Sequence, residues 1–259
     1  MTTTPADGGP VELVFLRHAE SEGERARRLA TEQLPAGFHD RPPDSWRLTA
    51  AGRDQARRAG DRLRAAGRSG FDRHLTSPAV RARETAAALE LDGARWQPES
   101  ALRPRDWGPE VARMTPDRRA AWTAAATAEA AADPWQWRPP GGESLSMVRT
   151  RLADFLSGAA GVGRLVLVTH AELVVAARAL LEPDPDRPPG PVGHVAATAY
   201  ARRDPVTGAI AASLDWAWEA DLADGPPPDW RPVRGGRKIA DLVAPDARGR
   251  EDGGRPVMT

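Results

Sequence analysis

Cysteine is absent from this chain of 259 residues. Disulfide bonds, catalysis by a thiolate and metal sites built on cysteine are therefore excluded. Lysine is nearly absent as well, since Lys238 is the only one and all other basic side chains are arginines. Arginine can bind a phosphate group through two parallel hydrogen bonds, so this bias is compatible with a phosphate ligand.

An excess of charge of either sign is also absent. The chain has 36 basic and 36 acidic residues, for a formal net charge of zero. No overall field would hold nucleic acid or an anionic membrane, so any attraction for an anionic substrate must be local. The longest apolar runs, at 165–168 and 173–177, are too short to cross a bilayer, and the polar N-terminus has no apolar signal core. We expect a cytoplasmic protein that binds neither nucleic acid nor a membrane.

Apolar runs alternate with amphipathic stretches along most of the chain. Compact runs at 11–16, 71–77 and 164–169 predict buried strands, and two further strands are expected at 193–202 and 209–218. Helices are expected at 21–34, 50–67, 78–89 and 143–156 and directly after His170, the second of them capped by Thr49. Strands that alternate with helices predict an α/β fold, here a three-layer sandwich with a mostly parallel central sheet flanked by helices.

We predict one domain over residues 11–232. A flexible tail precedes it at 1–10, and a partly ordered tail follows at 233–259. Within the domain, a stretch rich in tryptophan and proline at about 92–142 reads as a helical insertion, with an alanine-rich helix at about 116–132.

Two predicted strands end directly at a histidine, His18 and His170. In such sheets, ligands bind where the carboxyl ends of the strands give way to loops. Arg17 precedes the first histidine, and Arg81 lies in the first turn of a predicted helix, where backbone N–H groups favour an anion. Phosphoryl transfer to a side chain needs a nucleophile, donors for the phosphoryl oxygens and a proton for the leaving oxygen. These residues could supply the first two.

Three segments together carry a family resemblance: FLRHAES at 15–21, TSPAVRARETA at 76–86 and LVLVTHAE at 165–172. In this order they closely resemble the histidine phosphatase superfamily, also called the phosphoglycerate mutase-like family. The resemblance implies that His18 is the nucleophile and becomes phosphorylated. It also implies that Arg17, Arg81 and His170 complete the phosphate pocket, with the two histidines facing each other across it.

The sequence departs from the family pattern at three positions. Ala19 and Ala171 replace the glycines that usually follow the two histidines, and alanine tolerates fewer backbone conformations than glycine. Pro104 stands where many relatives have the glutamate that acts as general acid, and proline has no proton to give. Carboxylates that could replace it follow the family motifs, and Glu172 and Asp106 are favoured over Glu20 and Glu22.

We therefore expect a phosphatase that hydrolyses a small phosphomonoester through a phosphohistidine at His18. No organic cofactor or metal is expected, since no histidine pair has the spacing of metal ligands. A non-catalytic binder of phosphate ligands, or a relative repurposed for a different reaction, remains an alternative because of Pro104. The substrate's identity cannot be read from the sequence, and a homodimer is left open.

The remaining residues of chemical interest have less support. His39, His74 and His194 lack supporting context and are expected to be structural or exposed. Trp107 and Trp137 are candidates to line a substrate pocket.

Overall fold

The structure is a computed structural model that describes residues 12–29, 33–35, 38–112, 114–159, 163–182, 192–202, 210–216 and 231–232. Its strands are β1 Glu12–Arg17, β2 Arg73–Thr76, β3 Trp96–Pro98, β4 Arg164–Thr169, β5 Ala197–Arg202, β6 Ile210–Trp216 and β7 Arg231–Pro232. Its helices are α1 Glu22–Ala26, α2 Ala50–Ala65, α3 Val80–Ala88, α4 Pro109–Ala112, α5 Pro116–Ala130, α6 Leu145–Gly158 and α7 Ala171–Leu181. The tails predicted at 1–10 and 233–259 lie outside the described residues.

The strands form one sheet in the order β3-β2-β4-β1-β5-β6-β7. The first four strands in this order are parallel, and β5, β6 and β7 continue the sheet with antiparallel pairings. In the registers, Arg17 lies opposite Thr169, and Thr76 lies opposite Val168. The carboxyl ends of the three adjacent strands β2, β4 and β1 therefore reach the same edge of the sheet, which brings together the residues that follow them.

Helices cover both faces of the sheet. On one face, α6 and α7 pack against inward side chains such as Phe15 and Leu167. On the other face, α2 and α3 pack against the alternate side chains, such as Val14 and Val166. Because successive side chains of a strand point to opposite faces, one fully apolar strand can serve both cores. The predicted three-layer α/β sandwich is confirmed.

The most regular elements agree with the sequence prediction. The strand predicted at 164–169 has the predicted bounds, and the Thr49 hydroxyl accepts a hydrogen bond of 2.9 Å from the Gly52 backbone N–H, as expected of a helix cap. Two elements differ. The first helix ends at Ala26 instead of continuing to 34, and an edge strand, β3, lies within the stretch that was predicted as an insertion.

Across the parts of the chain that the structure describes, no helix combines the length and the apolar character that a membrane span requires.

Candidate active site

The two histidines at the strand ends lie side by side. His18 follows β1 and His170 follows β4, and their ring centroids are 5.0 Å apart with an interplanar angle of 63°. Both residues are almost fully buried, with 3% and 2% of their surface exposed. Together with Arg17 and Arg81 they line one cavity of about 350 Å³ at the carboxyl edge of the sheet. The structure thus brings all four predicted phosphate-binding residues to the same cavity.

The backbone fixes the tautomer of His18. Its Nδ1 lies 2.8 Å from the carbonyl oxygen of Ala19. Because a carbonyl oxygen can only accept, Nδ1 carries the proton and Nε2 presents its lone pair. Burial lowers the pKa of His18 to about 3; Glu24 works against that shift, whereas the charges of Arg81 and Arg17 add to it. The imidazole is therefore neutral at physiological pH, which is the state that a nucleophile requires.

Arg81 bridges the two imidazoles. Its Nε donates to His18 Nε2 over 3.2 Å, and its Nη2 lies 3.3 Å from His170 Nδ1. Its Nη1 donates a third hydrogen bond, over 3.0 Å, to the carbonyl oxygen of Pro43. The guanidinium is fixed because Arg81 stands in the first turn of α3, directly beyond β2. One cation is thus aimed at the space in front of both rings.

His170 is held in the opposite tautomer. A guanidinium has no acceptor, so Nδ1 accepts from Arg81 and Nε2 carries the proton, which it donates to the Ser77 hydroxyl oxygen over 2.8 Å. Burial, followed by the charge of Arg81, holds the pKa of His170 well below its ordinary value. His170 is therefore a neutral imidazole.

Arg17 does not point into open space. Its Nη2 donates to Glu24 Oε1 over 3.1 Å, and its Nη1 donates to the carbonyl oxygen of Val192. The Nε of Arg17 is buried and has no hydrogen-bond partner among the described residues. Arg17 thus borders the cavity with one donor unused.

The candidates for the proton donor have separate positions. Asp106 and Glu172 both line the cavity, and so does Pro104. Asp106 is exposed, and its Oδ1 accepts a hydrogen bond of 2.8 Å from the Gly108 backbone N–H. Glu20 and Glu22 are not among the residues that line the cavity. Glu20 accepts from Thr49, and Glu22 forms an ion pair with Arg41.

Glu143 holds the loop that carries Pro104 and Asp106. Its Oε2 accepts from the Asp106 backbone N–H over 3.1 Å, and its carboxylate forms ion pairs with Arg103 at 2.5 Å and Arg151 at 3.0 Å. The role of Glu143 here is to position the 103–108 loop rather than to touch a substrate.

Several residues that line the cavity were not predicted from the sequence. Glu24, Asp44 and Arg119 line it, as do Arg27 and Trp46. Burial, followed by the charge of Arg27, lowers the pKa of Arg119 to about 10. These residues come from the short helix α1 and its end, from loops and from the insertion, where no strand or motif marks them, so a single sequence offered no signal for them.

Two tryptophan rings pack near the guanidinium of Arg105, which lines the cavity. Trp107 lines the cavity, as predicted, and the Arg105 guanidinium lies 4.6 Å from the centroid of its ring. The centroid of the Trp137 ring lies 5.5 Å from the same guanidinium, and Trp137 is not among the cavity-lining residues. The two tryptophans thus differ, since only Trp107 can contact a ligand in the cavity.

The other histidines differ from the prediction in one case. His74 is buried between Phe71 and Trp96, with ring centroids 6.0 and 5.4 Å away, which fits a structural residue. His194 instead lies near the cavity, with Nε2 3.9 Å from Glu24 Oε1. The side chain of His39 lies outside the described part of the structure.

The two alanines that replace family glycines cause no backbone strain. Among the described residues, only Glu90 and Val195 combine a side chain with a positive φ angle. Ala171 begins α7, and Ala19 is buried, with its N–H donating to the Thr85 hydroxyl over 3.0 Å. The local geometry therefore accepts a methyl group at both positions.

Acidic and imidazole groups do not gather into a metal site here. Among the residues that the structure describes, no three His, Asp or Glu side chains are grouped so that they could hold a metal ion.

Comparison with known proteins gives a consistent family and fold. The model of the histidine phosphatase superfamily (branch 1) matches residues 13–203. A mycobacterial glucosyl-3-phosphoglycerate phosphatase in complex with VO3 is similar in structure, with 24% identity, a TM-score of 0.56, and coverage of 73% of this chain and 92% of that chain. A putative α-ribazole-5'-P phosphatase from Escherichia coli has 21% identity, a TM-score of 0.55, and coverage of 76% and 93%.

A protein from Thermus thermophilus is similar as well, with 29% identity, a TM-score of 0.52, and coverage of 73% of this chain and 92% of that chain. No curated protein matches the sequence. The structural likeness shows the fold, and the match to the family model extends over most of the chain, including both histidines and Arg81. The chain belongs to branch 1 of the histidine phosphatase superfamily.

Proposed function

We propose that this protein is a phosphatase that hydrolyses a small phosphomonoester through a phosphohistidine at His18. The observation that carries the proposal is the position of Arg81, whose Nε and Nη2 reach His18 Nε2 and His170 Nδ1 at 3.2 and 3.3 Å. One cation in front of two neutral imidazoles is suited to a tetrahedral oxyanion. The names of two structural relatives, a glucosyl-3-phosphoglycerate phosphatase and a putative α-ribazole-5'-P phosphatase, agree with this class of reaction.

Phosphate binding would turn Arg81 from the imidazoles to the ligand. Its Nε and Nη2 would donate to phosphoryl oxygens, and they would release the lone pair of His18 Nε2. Because burial lowers the pKa of His18, its Nε2 stays unprotonated and the lone pair is available for attack. Arg17 offers its Nε, which is buried and has no partner among the described residues.

The first chemical step forms a bond between His18 Nε2 and phosphorus. The bond between phosphorus and the ester oxygen breaks, and the leaving oxygen takes a proton. We assign the proton donor to Glu172 or Asp106, which line the cavity beside Pro104. In the second step, water attacks phosphorus, the bond to Nε2 breaks, and inorganic phosphate leaves. The same carboxylate, now ionised, would accept the proton of the water.

A comparison of leaving groups shows whether a carboxylate donates a proton in the first step. p-Nitrophenyl phosphate needs little protonation of its leaving oxygen, whereas an alkyl phosphate needs a proton donor. Loss of general acid catalysis costs about 10²–10⁴-fold. We therefore expect a clear preference for the aryl ester if neither Glu172 nor Asp106 donates efficiently in place of the glutamate that Pro104 replaces.

The test of the proposed function is the turnover of p-nitrophenyl phosphate. We expect activity in the wild type, none in His18→Asn, and an acid-labile phosphate on the protein after rapid quenching. Thermal unfolding of His18→Asn should show a folded protein. Turnover by folded His18→Asn at the wild-type rate would refute the nucleophilic role.

A non-catalytic phosphate binder is the second candidate, and Pro104 is the observation that favours it. A proline in the cavity wall leaves the position of the usual acid without a proton. This candidate predicts phosphate binding that Arg81→Ala abolishes, without turnover of either the aryl or the alkyl ester. A clear activity on a phosphate-free substrate would instead indicate a repurposed enzyme.

A further inference from the structure

A carboxylate occupies the region of the cavity where the phosphoryl group must bind. Glu24 Oε1 lies 3.1 Å from Arg17 Nη2 and 3.5 Å from His18 Nε2. The side chain of Glu24 is largely buried, with 12% of its surface exposed. It therefore contacts the predicted nucleophile and one of the predicted phosphate-binding arginines at the same time.

Glu24 is fixed in this position by its own helix. Its Oε2 accepts from the Ser21 backbone N–H over 2.9 Å and from the Ser21 hydroxyl, so that the carboxylate is part of the cap of α1. These bonds leave Oε1 directed at Arg17 and His18. The contact with the cavity is thus built into the fold at the start of α1.

Glu24 carries its negative charge at neutral pH. Burial would raise its pKa, but the hydrogen bonds from Ser21 and the charge of Arg17 hold the pKa of Glu24 below its usual range. Burial lowers the pKa of both Arg81 and His194, and the charge of Glu24 opposes that shift in each case. The pocket therefore already contains an anion.

A phosphoryl group on Nε2 would conflict with this anion. Phosphorus bonded to Nε2 holds its oxygens within contact distance of that nitrogen, in the same shell that Oε1 occupies at 3.5 Å. Like charges placed side by side in a partly desolvated site repel strongly. Phosphate can enter only if the Glu24 carboxylate turns away from Arg17 or takes up a proton.

We propose that Glu24 is an internal competitor of phosphate, an anion that binds Arg17 and lies beside His18 when no phosphate is bound, and that weakens the binding of phosphate. This inference rests on the proposed function, because the anion that is displaced is the substrate or product phosphate. The consequence for the reaction concerns release: the carboxylate returns to Arg17 as inorganic phosphate leaves, which lowers product inhibition. Glu24 is thus a residue that sets specificity and affinity, not the nucleophile or the proton donor.

The test compares Glu24→Gln with a matched control, Glu22→Gln. Glu22 lies in the same helix but faces away from the cavity, where it accepts from the Arg47 backbone N–H over 3.0 Å and pairs with Arg41. Inorganic phosphate is titrated into each full-length protein by calorimetry at pH 7.5. We expect Glu24→Gln to bind phosphate about tenfold more tightly or better, since tenfold corresponds to only a small part of the repulsion between like charges. Glu22→Gln should match the wild type.

Product inhibition gives a second readout. With p-nitrophenyl phosphate as substrate, the inhibition constant of inorganic phosphate should fall in Glu24→Gln by the same factor as the dissociation constant. Glu24→Ala should show the same direction, which separates the loss of charge from any new hydrogen bond made by glutamine. Thermal unfolding checks that both variants are folded.

The outcomes separate this inference from the proposed function. Phosphate binding that Arg81→Ala abolishes but that Glu24→Gln and Glu24→Ala leave unchanged or weakened overturns the role of Glu24 alone. Phosphate binding by Glu24→Gln but not by the wild type supports it. If neither the wild type nor Glu24→Gln binds phosphate, the pocket assignment falls and the inference falls with it.

Discussion

Replacing Arg81 with alanine removes the cation that bonds to both His18 and His170 in the pocket. The Nε and Nη2 groups would each form a charged hydrogen bond to a phosphoryl oxygen, and such a bond contributes about 1.5–3 kcal/mol. Part of this energy is offset, because the same groups must first give up their bonds to His18 and His170 at 3.2 and 3.3 Å. A net loss of about 3–4 kcal/mol remains, which corresponds to a fall in kcat/KM of about 10²–10³-fold.

The stability of Arg81→Ala should behave differently from its activity. Burial lowers the pKa of Arg81, and the nearest carboxylate oxygen, Asp44 Oδ1, is 3.8 Å away, so that the cation is poorly compensated in the folded protein. Without phosphate, we expect the Tm of Arg81→Ala to equal or exceed that of the wild type. Phosphate at 100 times its Kd should stabilise the wild type by about 2.7 kcal/mol, and this gain should be lost in the variant.

The assay combines p-nitrophenyl phosphate kinetics with thermal unfolding in the presence and absence of phosphate. Arg83→Ala is the matched control, because Arg83 is exposed on the same helix and does not line the cavity. Arg81→Lys keeps the charge but has no planar fork, so that it should recover only a small part of the rate. Near-normal kinetics together with a normal phosphate-induced rise in the Tm of Arg81→Ala would refute the reasoning.

Three further predictions concern proton transfer and protonation. If the assigned carboxylate donates poorly, Pro104→Glu should raise the rate on an alkyl phosphate relative to p-nitrophenyl phosphate by about tenfold or more, toward the range of general acid catalysis; an unchanged ratio would mean that Glu172 or Asp106 already donates efficiently. Only one of Asp106→Asn and Glu172→Gln should lower alkyl phosphate turnover while sparing the aryl ester, and equal small effects in both would remove the two carboxylates from this role. The pKa of His18 is lowered from 6.5 to about 3, so that the unfolded chain binds this proton more readily and stability falls as the pH drops below 6.5. The loss due to His18 is about 2 kcal/mol at pH 5, and chemical denaturation of His18→Asn between pH 7 and 5 should show a shallower decline than the wild type; identical slopes would contradict a buried neutral imidazole.

The parts of the site that the sequence predicted are those attached to regular strands. A buried apolar strand that ends at a polar residue is visible in the sequence, and parallel strands place their carboxyl ends at one edge. His18 and His170 were therefore predicted together, although 152 positions separate them in the numbering. Arg81 could be added because its helix begins at the same edge, directly after β2.

The parts that the sequence did not predict depend on contacts between distant segments. The first helix ends at Ala26 as the chain packs against a remote loop: a side chain at Gly23 would collide with Trp46, whose ring is 2.0 Å from the position of an added Cβ. Glu24 reaches the cavity only because this short helix turns there. The periodicity of apolar residues contains no information about such contacts. The sequence therefore could not show that Glu24, rather than Glu22, reaches the cavity.

The loop at 103–108 is a further case. Its path is set by Glu143 and by stacking of Arg105 on Trp107, which join segments from the insertion and from the start of α6. Asp106 could be named as a candidate from the sequence, but the contacts that set the position of its side chain arise only in the folded chain.

A crystal structure of the protein with orthovanadate tests the central claim most directly, since vanadate reproduces the five-coordinate geometry of phosphoryl transfer. We predict vanadium bonded to His18 Nε2, with Arg81 donating to its equatorial oxygens and the ring of His170 in contact with the bound group. Vanadate bound elsewhere, or bound in the cavity without contact to both imidazole rings, would contradict the account.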